Sequence, residues 1–207
     1  MRRCVIIGGA DINNYEVIRT YLRPDDFIIY CDSGLKHQAG LKENADLIIG
    51  DFDSHENPDL PVETVVLPCE KDDTDTMAAV REANLRGFED FLLLGVFGER
   101  MDHTLANIYI LLWLANRQKK VMAVDDYSEF EVITSGRTAK IECSYSYFSL
   151  LAIAGTAKGV TIRNAKYLLE KADIISEYQF GVSNETLPGK TAEVNIENGY
   201  LLLIKDR

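Results

Sequence analysis

The sequence has few of the residues that build zinc sites, disulfide frameworks or nucleic-acid-binding surfaces. Four of its 207 residues are cysteine and three are histidine. The cysteines lie far apart without a CxxC pair, which argues against both a zinc site and a disulfide framework. Lysine and arginine total 22 against 33 acidic residues, so the net charge is −11. Nucleic acids and anionic membranes both need a basic surface, and we therefore expect neither as a partner.

Long apolar runs are also lacking. The stretch after the N-terminal MRR reads CVIIGGA before Asp11 interrupts it, which is too short for the core of a signal peptide. No run approaches the roughly 20 apolar residues of a transmembrane helix. The sequence therefore predicts a cytoplasmic protein with reduced thiols.

Short apolar runs alternate with helix-like segments over the first part of the chain. These runs are CVII, FIIY, ADLIIG, TVVLP, FLLLG and VMAV. Continuous apolar runs are typical of strands that are covered on both faces, as in a parallel sheet flanked by helices. The pattern predicts an α/β domain in residues 1–126, with a Rossmann-like, mostly parallel sheet and helices on both faces.

The pattern changes after about residue 126. The segments EFEVITS, GVTIRN, AEVNIE and YLLLIK are rich in β-branched residues or alternate in polarity, and SGR, LPGK and ENG are turn signals. YLLEKADI fits either a short helix or a strand. We predict a small all-β sandwich or barrel domain in residues 130–207.

Polar clusters follow four of the predicted strands: CDSG, GDFDS, EKDDTD and GERMDH. Open α/β sheets bind ligands beyond the carboxyl ends of their strands, so these clusters should meet at one edge. In an extended backbone, Asp51 and Asp53 would point to the same side. Together with Asp75 and Asp102 they would repel one another, and a divalent cation would relieve that repulsion.

Carboxylate ligands without a histidine or cysteine pair favour Mg²⁺ over Zn²⁺. We predict a magnesium site among Asp51, Asp53, Asp75 and Asp102. Magnesium usually completes its shell with water and substrate phosphates, so the predicted substrate is a nucleotide polyphosphate. Lys71 and Arg100 lie in the same loops and would neutralise charge on the phosphoryl oxygens during transfer.

Other residues of these loops are candidates for nucleotide contacts. The sequence contains neither GxxxxGK[ST] nor GxGxxG, so a P-loop and a dinucleotide fingerprint are both lacking. Glycines follow the first and fifth predicted strands, where backbone amides and a helix N-terminus could receive phosphate. We assign the nucleotide contacts to Asp32, Gly34, Thr74, Gly98 and His103.

The ordered motifs GDFDS, KDDTD and GERMDH, followed by GVSNE in the β-rich tail, resemble those of the bacterial type of thiamine pyrophosphokinase. The resemblance covers the whole chain. It implies transfer of the diphosphate of ATP to the hydroxyl of thiamine, which yields thiamine diphosphate and AMP with magnesium. It also implies an ATP-binding α/β domain, a thiamine-binding β domain, and a homodimer with active sites between subunits.

The resemblance also carries roles onto particular positions. The acidic residues of the family fall on Asp51, Asp53 and Asp75, which the resemblance implies as the magnesium ligands, and Asp102 lies in the arginine-containing motif. The serine–asparagine element of the family, near thiamine, falls on Ser183 and Asn184. Asp102 or another of these carboxylates could accept the hydroxyl proton, and the sequence leaves that choice open.

Two positions depart from the family pattern. The family commonly reads Ala-Asp-Gly-Gly where this sequence reads CDSG. Ser33 therefore carries a β-carbon where glycine would let a ligand approach closely, which affects the contacts expected around Asp32. Glu99 stands before Arg100 where the family often has glycine.

Three alternative functions are compatible with the same residues. A magnesium-dependent phosphohydrolase would use the carboxylates to activate water and would release phosphate without an acceptor. A non-catalytic nucleotide sensor would bind magnesium–ATP without turnover. A pyrophosphokinase acting on another heterocyclic alcohol, such as a pterin, would use the same chemistry, and Tyr178 or Phe180 could stack on either heterocycle.

Overall fold

The computed structural model describes residues 2–52, 61–68 and 72–207. Asp53 and Lys71, both predicted site residues, lie outside the described residues. The chain divides into two compact units, Met1–Asp126 and Tyr127–Arg207. Each unit has its own strands and its own apolar core.

The first unit contains a parallel sheet of six described strands. They are β1 (Cys4–Ile7), β2 (Phe27–Cys31), β3 (Leu47–Gly50), β4 (Glu63–Val66), β5 (Asp90–Leu94) and β6 (Lys120–Val124). Their spatial order is β6-β5-β1-β2-β3-β4, and the pairings between them are parallel. The order reverses between β1 and β5, and crevices at such reversal points are where open α/β sheets bind ligands.

Helical segments connect these strands. They are α1 (Tyr15–Arg19), a 3₁₀ helix (Asp32–His37), α2 (Gln38–Leu41), α3 (Asp75–Leu85) and α4 (Met101–Asn116). Thr74 caps α3, because its hydroxyl accepts a hydrogen bond from the Met77 amide at 3.2 Å. CDSG, the described part of EKDDTD, and GERMDH lie where a strand leads to a helix, whereas Asp51 and Phe52 of GDFDS directly follow β3.

One apolar cluster of the first unit joins the central strands to α1 and α2. Its strand members include Ile7, Ile28 and Leu92, while Ile18 of α1 and Leu41 of α2 pack against them. Burying a side chain of this size stabilises the fold by roughly 2 kcal/mol. The rigid sheet therefore fixes the strand ends from which the site loops emerge.

The second unit consists of two antiparallel groups of strands. Its strands are β7 (Ser128–Thr134), β8 (Ala139–Ile141), β9 (Tyr147–Ala152), β10 (Thr156–Arg163), β11 (Leu169–Ile175), β12 (Gly181–Asn184), β13 (Ala192–Asn195) and β14 (Tyr200–Asp206). They pair in the orders β12-β9-β14-β7 and β11-β10-β13-β8. The segment YLLEKADI thus forms most of a strand rather than a helix, because it pairs with β10.

Both groups of strands bury side chains in one core. Phe148, Leu150 and Leu203 come from the first group, and Ile162 and Val194 come from the second.

The predicted class is confirmed at this level: a large, mostly parallel α/β sheet is accompanied by a separate antiparallel sheet. Among the described residues, no helix has both the length and the apolar character needed to cross a membrane.

Candidate active site

A cavity of about 390 Å³ lies at the carboxyl ends of β1, β2, β3 and β5. The loops after these strands and the first turns of α3 and α4 form its wall. The predicted site residues on this wall are Asp32, Asp51, Thr74, Asp75, Gly98, Arg100 and His103. The structure therefore brings together residues that are separated by up to 71 positions, from Asp32 to His103.

Three carboxylates meet in this cavity. Asp32 begins the 3₁₀ helix, Asp51 directly follows β3, and Asp75 begins α3. One oxygen atom of each lies within 4.8 Å of those of the other two. Opposite ligands of an octahedral Mg²⁺ ion lie roughly 4 Å apart, because the bonds are about 2.1 Å long. Small side-chain shifts would therefore bring the three oxygens to ligand distance from one ion.

The neighbouring positions of β2 and β3 explain why Asp32 joins this cluster. Cys31 lies opposite Ile49 in the sheet, so Asp32 and Gly50 leave it side by side. A β-carbon at Gly50 would lie 2.7 Å from the Asp32 β-carbon. Glycine at this position thus permits the close approach. Asp32 itself is only 6% exposed, whereas Asp51 and Asp75 are half-buried.

The backbone after Asp51 differs from the extended form that we expected. Phe52 has a φ of 55°, in the left-handed region, which is strained for a bulky residue. The chain therefore departs from the extended form at Phe52, and because Asp53 lies outside the described residues, its place on the same side as Asp51 stays a prediction. The described carboxylate partners of Asp51 are Asp32 and Asp75.

Arg100 and Asp102 form an ion pair at the mouth of the cavity. The Arg100 Nη2 atom lies 2.7 Å from Asp102 Oδ2, and both side chains are about two-thirds exposed. Asp102 Oδ1 also accepts a hydrogen bond from the His103 amide at 3.0 Å. The hydrogen bond from Arg100 lowers the pKa of Asp102. This hydrogen bond therefore favours the ionised form of Asp102.

Gly34 has a packing role in the structure. It is buried, and a β-carbon there would lie 2.2 Å from the carbonyl oxygen of Ile7. The absence of a side chain lets the 3₁₀ helix lie directly on β1. In the described part of the chain, Gly34 is not on the cavity wall, whereas its neighbour Ser33 is. The nucleotide contact predicted for Gly34 therefore has no support from its position.

The loops after β1 and β5 are joined by backbone hydrogen bonds. The Gly8 amide donates to the Leu94 carbonyl at 2.9 Å, and the Ala10 amide donates to the Gly95 carbonyl at 2.8 Å. Gly8, Gly9 and Ala10, which we call the glycine loop, form part of the cavity wall. This wall lies at the reversal of strand order, where backbone groups can face a ligand.

Other residues of the wall were missed by sequence reasoning. Asn107 is buried on α4, and its Nδ2 donates to the Val96 carbonyl at 2.6 Å. An amide within an otherwise apolar helix face was the available signal. Glu99 has a φ of 49°, a conformation that glycine adopts readily, and this explains why glycine suits the position. Burial raises the pKa of the Cys31 thiol, which therefore stays protonated.

The predicted thiamine residues lie in the second unit, on β12. Ser183 has a left-handed φ of 59°, and its amide donates to Ser149 Oγ at 3.1 Å. Asn184 is buried, and its Oδ1 accepts hydrogen bonds from the amides of Tyr167 at 3.0 Å and Glu185 at 2.9 Å. Its Nδ2 donates to the Tyr167 carbonyl at 2.7 Å. Asn184 thus positions the chain around Tyr167.

The fold and the cavity define a class of protein: α/β enzymes that bind a phosphorylated ligand at the carboxyl edge of a parallel sheet. Comparison with known families is more specific. The catalytic domain of thiamin pyrophosphokinase matches residues 18–123, and its vitamin B1 binding domain matches residues 137–201. The chain therefore belongs to the thiamin pyrophosphokinase family, enzymes that use ATP to form thiamine diphosphate.

Solved structures share the fold over nearly the whole chain. Thiamine pyrophosphokinase from Bacillus subtilis is 21% identical with a TM-score of 0.85, covering 99% of each chain. The enzyme from Geobacillus thermodenitrificans is 25% identical with a TM-score of 0.83, covering 99% of this chain and 97% of its own. Yeast thiamin pyrophosphokinase is 14% identical with a TM-score of 0.80, covering 100% and 86%. A search of curated proteins found no significant match.

Proposed function

We propose that the cavity of the first unit is where the diphosphate of ATP is transferred to the hydroxyl of thiamine. The observation that carries the proposal is the convergence of Asp32, Asp51 and Asp75 in a cavity that is also lined by the glycine loop. In this reaction the thiamine oxygen forms a bond to the β-phosphorus of ATP. The bond between that phosphorus and the oxygen bridging to the α-phosphorus breaks, AMP leaves, and the hydroxyl proton is released.

The carboxylates of the cavity fit a magnesium ion. Oxygen atoms from three separate elements lie within 4.8 Å of one another, and carboxylate oxygens are the ligands that Mg²⁺ takes alongside substrate phosphates. We propose Asp32, Asp51 and Asp75 as ligands, and we retain Asp53 from the sequence motif. When bound, the ion would neutralise charge on the phosphate oxygens.

Residues at the rim of the cavity are proposed to bind the rest of the nucleotide. Arg100 is exposed, and Asp102 holds its guanidinium by a hydrogen bond, so the pair presents an oriented cation to the transferring phosphates. Thr74, Gly98 and His103 are placed on the same wall. Lys71 retains the role inferred from its motif, next to the phosphates.

Several finer features belong to the same proposal. The first domain, residues 1–126, would be the nucleotide-binding domain, with a Rossmann-like sheet flanked by helices on both faces. The second, residues 130–207, would bind thiamine near Ser183 and Asn184. We further propose a cytoplasmic homodimer with its active sites between subunits.

A product analysis tests this function. The purified protein is mixed with thiamine, ATP and Mg²⁺, and parallel samples omit thiamine or the metal. We expect thiamine diphosphate and AMP in equal amounts only in the complete mixture. Phosphate release without thiamine would identify a hydrolase, and ATP binding without any product would identify a sensor. A pterin alcohol offered in place of thiamine tests the remaining alternative.

The matched variants for this test are Asp32→Asn and Asp25→Asn. Both remove one acidic group from the first unit, but Asp25 is exposed and lies outside the cavity wall. We expect Asp32→Asn to slow product formation by roughly a thousandfold and Asp25→Asn to retain it. Equal activity in the two variants would contradict the proposed place of the reaction.

A further inference from the structure

The 3₁₀ helix that carries Asp32 at its start carries His37 at its end. His37 is buried with 2% exposure, and each of its ring nitrogens meets one partner. Nε2 lies 2.9 Å from the carbonyl oxygen of Ala10. Nδ1 lies 2.8 Å from the hydroxyl of Tyr15. The histidine therefore joins α1 to the glycine loop.

The two partners determine which nitrogen of His37 carries the proton. A carbonyl oxygen only accepts hydrogen bonds, so Nε2 must donate to Ala10. Nδ1 is then the acceptor for the Tyr15 hydroxyl in the neutral ring. Burial lowers the pKa of His37, which favours this neutral form. The Ala10 carbonyl thus selects the tautomer, and the Tyr15 hydroxyl, which can donate or accept, holds the ring at Nδ1.

Ala10 is held on both sides of its backbone. Its carbonyl accepts from His37, and its amide donates to the Gly95 carbonyl at 2.8 Å. Ala10 is itself part of the cavity wall. The orientation of the peptide groups in the glycine loop therefore depends on these two contacts, one from β5 and one from the end of the 3₁₀ helix.

The position of Tyr15 is fixed by the start of α1. Tyr15 is the first residue of that helix, and Asn14 caps it by accepting a hydrogen bond from the Val17 amide at 3.2 Å. Asp126 in turn accepts hydrogen bonds from the backbone amides of Asn13 and Asn14, both at 2.9 Å. The tyrosine hydroxyl is therefore presented to His37 from a well-anchored turn.

We propose that His37 is a positioning residue for the nucleotide: its bond to the Ala10 carbonyl holds the glycine loop in the form that receives the phosphates, and Tyr15 holds the imidazole ring in the orientation that makes this bond. The inference rests on the proposed function, in which the glycine loop contacts ATP. His37 touches neither substrate. Its effect should therefore appear in ATP binding and should spare the acceptor.

The experiment compares His37→Gln, His37→Asn and Tyr15→Phe. The glutamine amide can reach the place of Nε2 and donate to Ala10, whereas the shorter asparagine amide lies near Nδ1. We expect His37→Asn to weaken binding of magnesium–ATP about tenfold, as for the loss of one buried hydrogen bond. His37→Gln should recover most of that affinity, and Tyr15→Phe should fall between them. Isothermal titration with magnesium–ATP measures this without turnover.

The matched control is Tyr30→Phe. Tyr30 is buried in β2, and its hydroxyl donates to the Glu43 carbonyl at 3.0 Å. This variant also loses one tyrosine hydrogen bond in the same unit, but not one that reaches the glycine loop. It should lower Tm while leaving the affinity for ATP unchanged.

Steady-state kinetics separates positioning from general damage. We expect KM for ATP to rise in His37→Asn while KM for thiamine stays constant. Equal ATP affinity in wild type, His37→Asn and Tyr15→Phe would overturn the inference. The inference would also be overturned if KM for ATP and KM for thiamine rose alike, in step with the loss of Tm. A wild-type protein that makes no thiamine diphosphate would refute the proposed function instead, and the titration would still test His37.

Discussion

Acidic side chains are arranged differently in the two units. In the second unit they converge on a lysine: Lys205 Nζ lies 2.6 Å from Glu129 and 2.5 Å from Glu131. Tyr145 adds a hydrogen bond to Glu129 at 2.7 Å. Burial alone would lower the pKa of Lys205, but the charges of the two glutamates outweigh it and raise the pKa. This network is held together by its own opposite charges.

In the first unit, three acidic side chains of the cavity converge on one another. Asp32, Asp51 and Asp75 approach within 4.8 Å at the end of three different elements. Close carboxylates cost free energy through mutual repulsion. The comparison agrees with our proposal that the three carboxylates bind a ligand, whereas the Lys205 network contributes to folding. Substitutions in the two clusters should therefore affect different measured quantities.

The largest effect is expected from Asp32→Asn. Asparagine keeps the shape of the side chain but removes the charge that would bind the metal, so we expect kcat/KM to fall by roughly a thousandfold. Tm should stay the same or rise, because one repelling charge is removed. Steady-state assays at several Mg²⁺ concentrations together with thermal unfolding measure both effects. A parallel loss of Tm and activity would place Asp32 with the structural acids instead.

Lys205→Met tests the other side of the comparison. It leaves Glu129 buried and Glu131 partly buried without their cation, and breaking such a buried pair costs about 3 kcal/mol. Denaturant unfolding should show this loss, while the activity of the folded fraction should be unchanged.

An exposed ion pair of the same unit provides the control for Lys205. Lys166 Nζ lies 2.6 Å from Glu185, and its side chain is 52% exposed. Lys166→Met should cost far less stability than Lys205→Met because solvent screens the pair. A similar loss in both variants would show that burial of the Lys205 network is not what stabilises it.

The places of Asp51 and Asp75 in the site could be predicted from the sequence, because they depend only on which residues follow each strand along the chain. Asp51 and Asp75 follow apolar runs, and parallel strands place such residues at one edge. The part played by Asp32 could not be predicted, because its approach to Asp51 depends on β2 and β3 being neighbours and on the space left by Gly50. Contacts across a sheet are set by strand order, which no single segment encodes.

His37 illustrates the same limit over longer distances. Its partners Tyr15 and Ala10 lie 22 and 27 positions away. The residues next to His37 in the sequence do not indicate these contacts, because it is the fold that brings the ring to Tyr15 and Ala10. The all-β tail was easier to predict, because alternation and turn signals are local. Whether YLLEKADI formed a helix or a strand was decided by pairing with β10.

Asn184→Ala should have a smaller effect than Asp32→Asn or Lys205→Met. It should change both the stability of the protein and its activity. The substitution removes the bonds to Tyr167 and Glu185 and leaves part-buried backbone groups without them, at a cost of about 2 kcal/mol. If the chain around Tyr167 borders the thiamine site as we propose, KM for thiamine should rise more than KM for ATP. Equal changes for both substrates would indicate that Asn184 serves the fold alone.

The smallest predicted effect concerns how the stability of the protein depends on pH. It extends the comparison from the charged clusters to His37, which is buried and neutral. Burial lowers the pKa of His37 in the folded protein below its ordinary value near 6.5. As pH falls from about 6.5 toward that lowered pKa, the unfolded chain binds a proton before the folded one does, so the free energy of unfolding decreases. Above this window His37 makes no contribution to the pH dependence.

His37→Gln isolates this contribution. Glutamine does not titrate, so the decline of Tm between pH 7.5 and pH 5 should be steeper in wild type than in the variant, even if the variant has the lower Tm at pH 7.5. The difference of the two Tm values, measured across that range, should shrink as pH falls. A constant difference would mean that folding does not disfavour protonation of His37, and the buried neutral ring that holds Ala10 would then lack thermodynamic support.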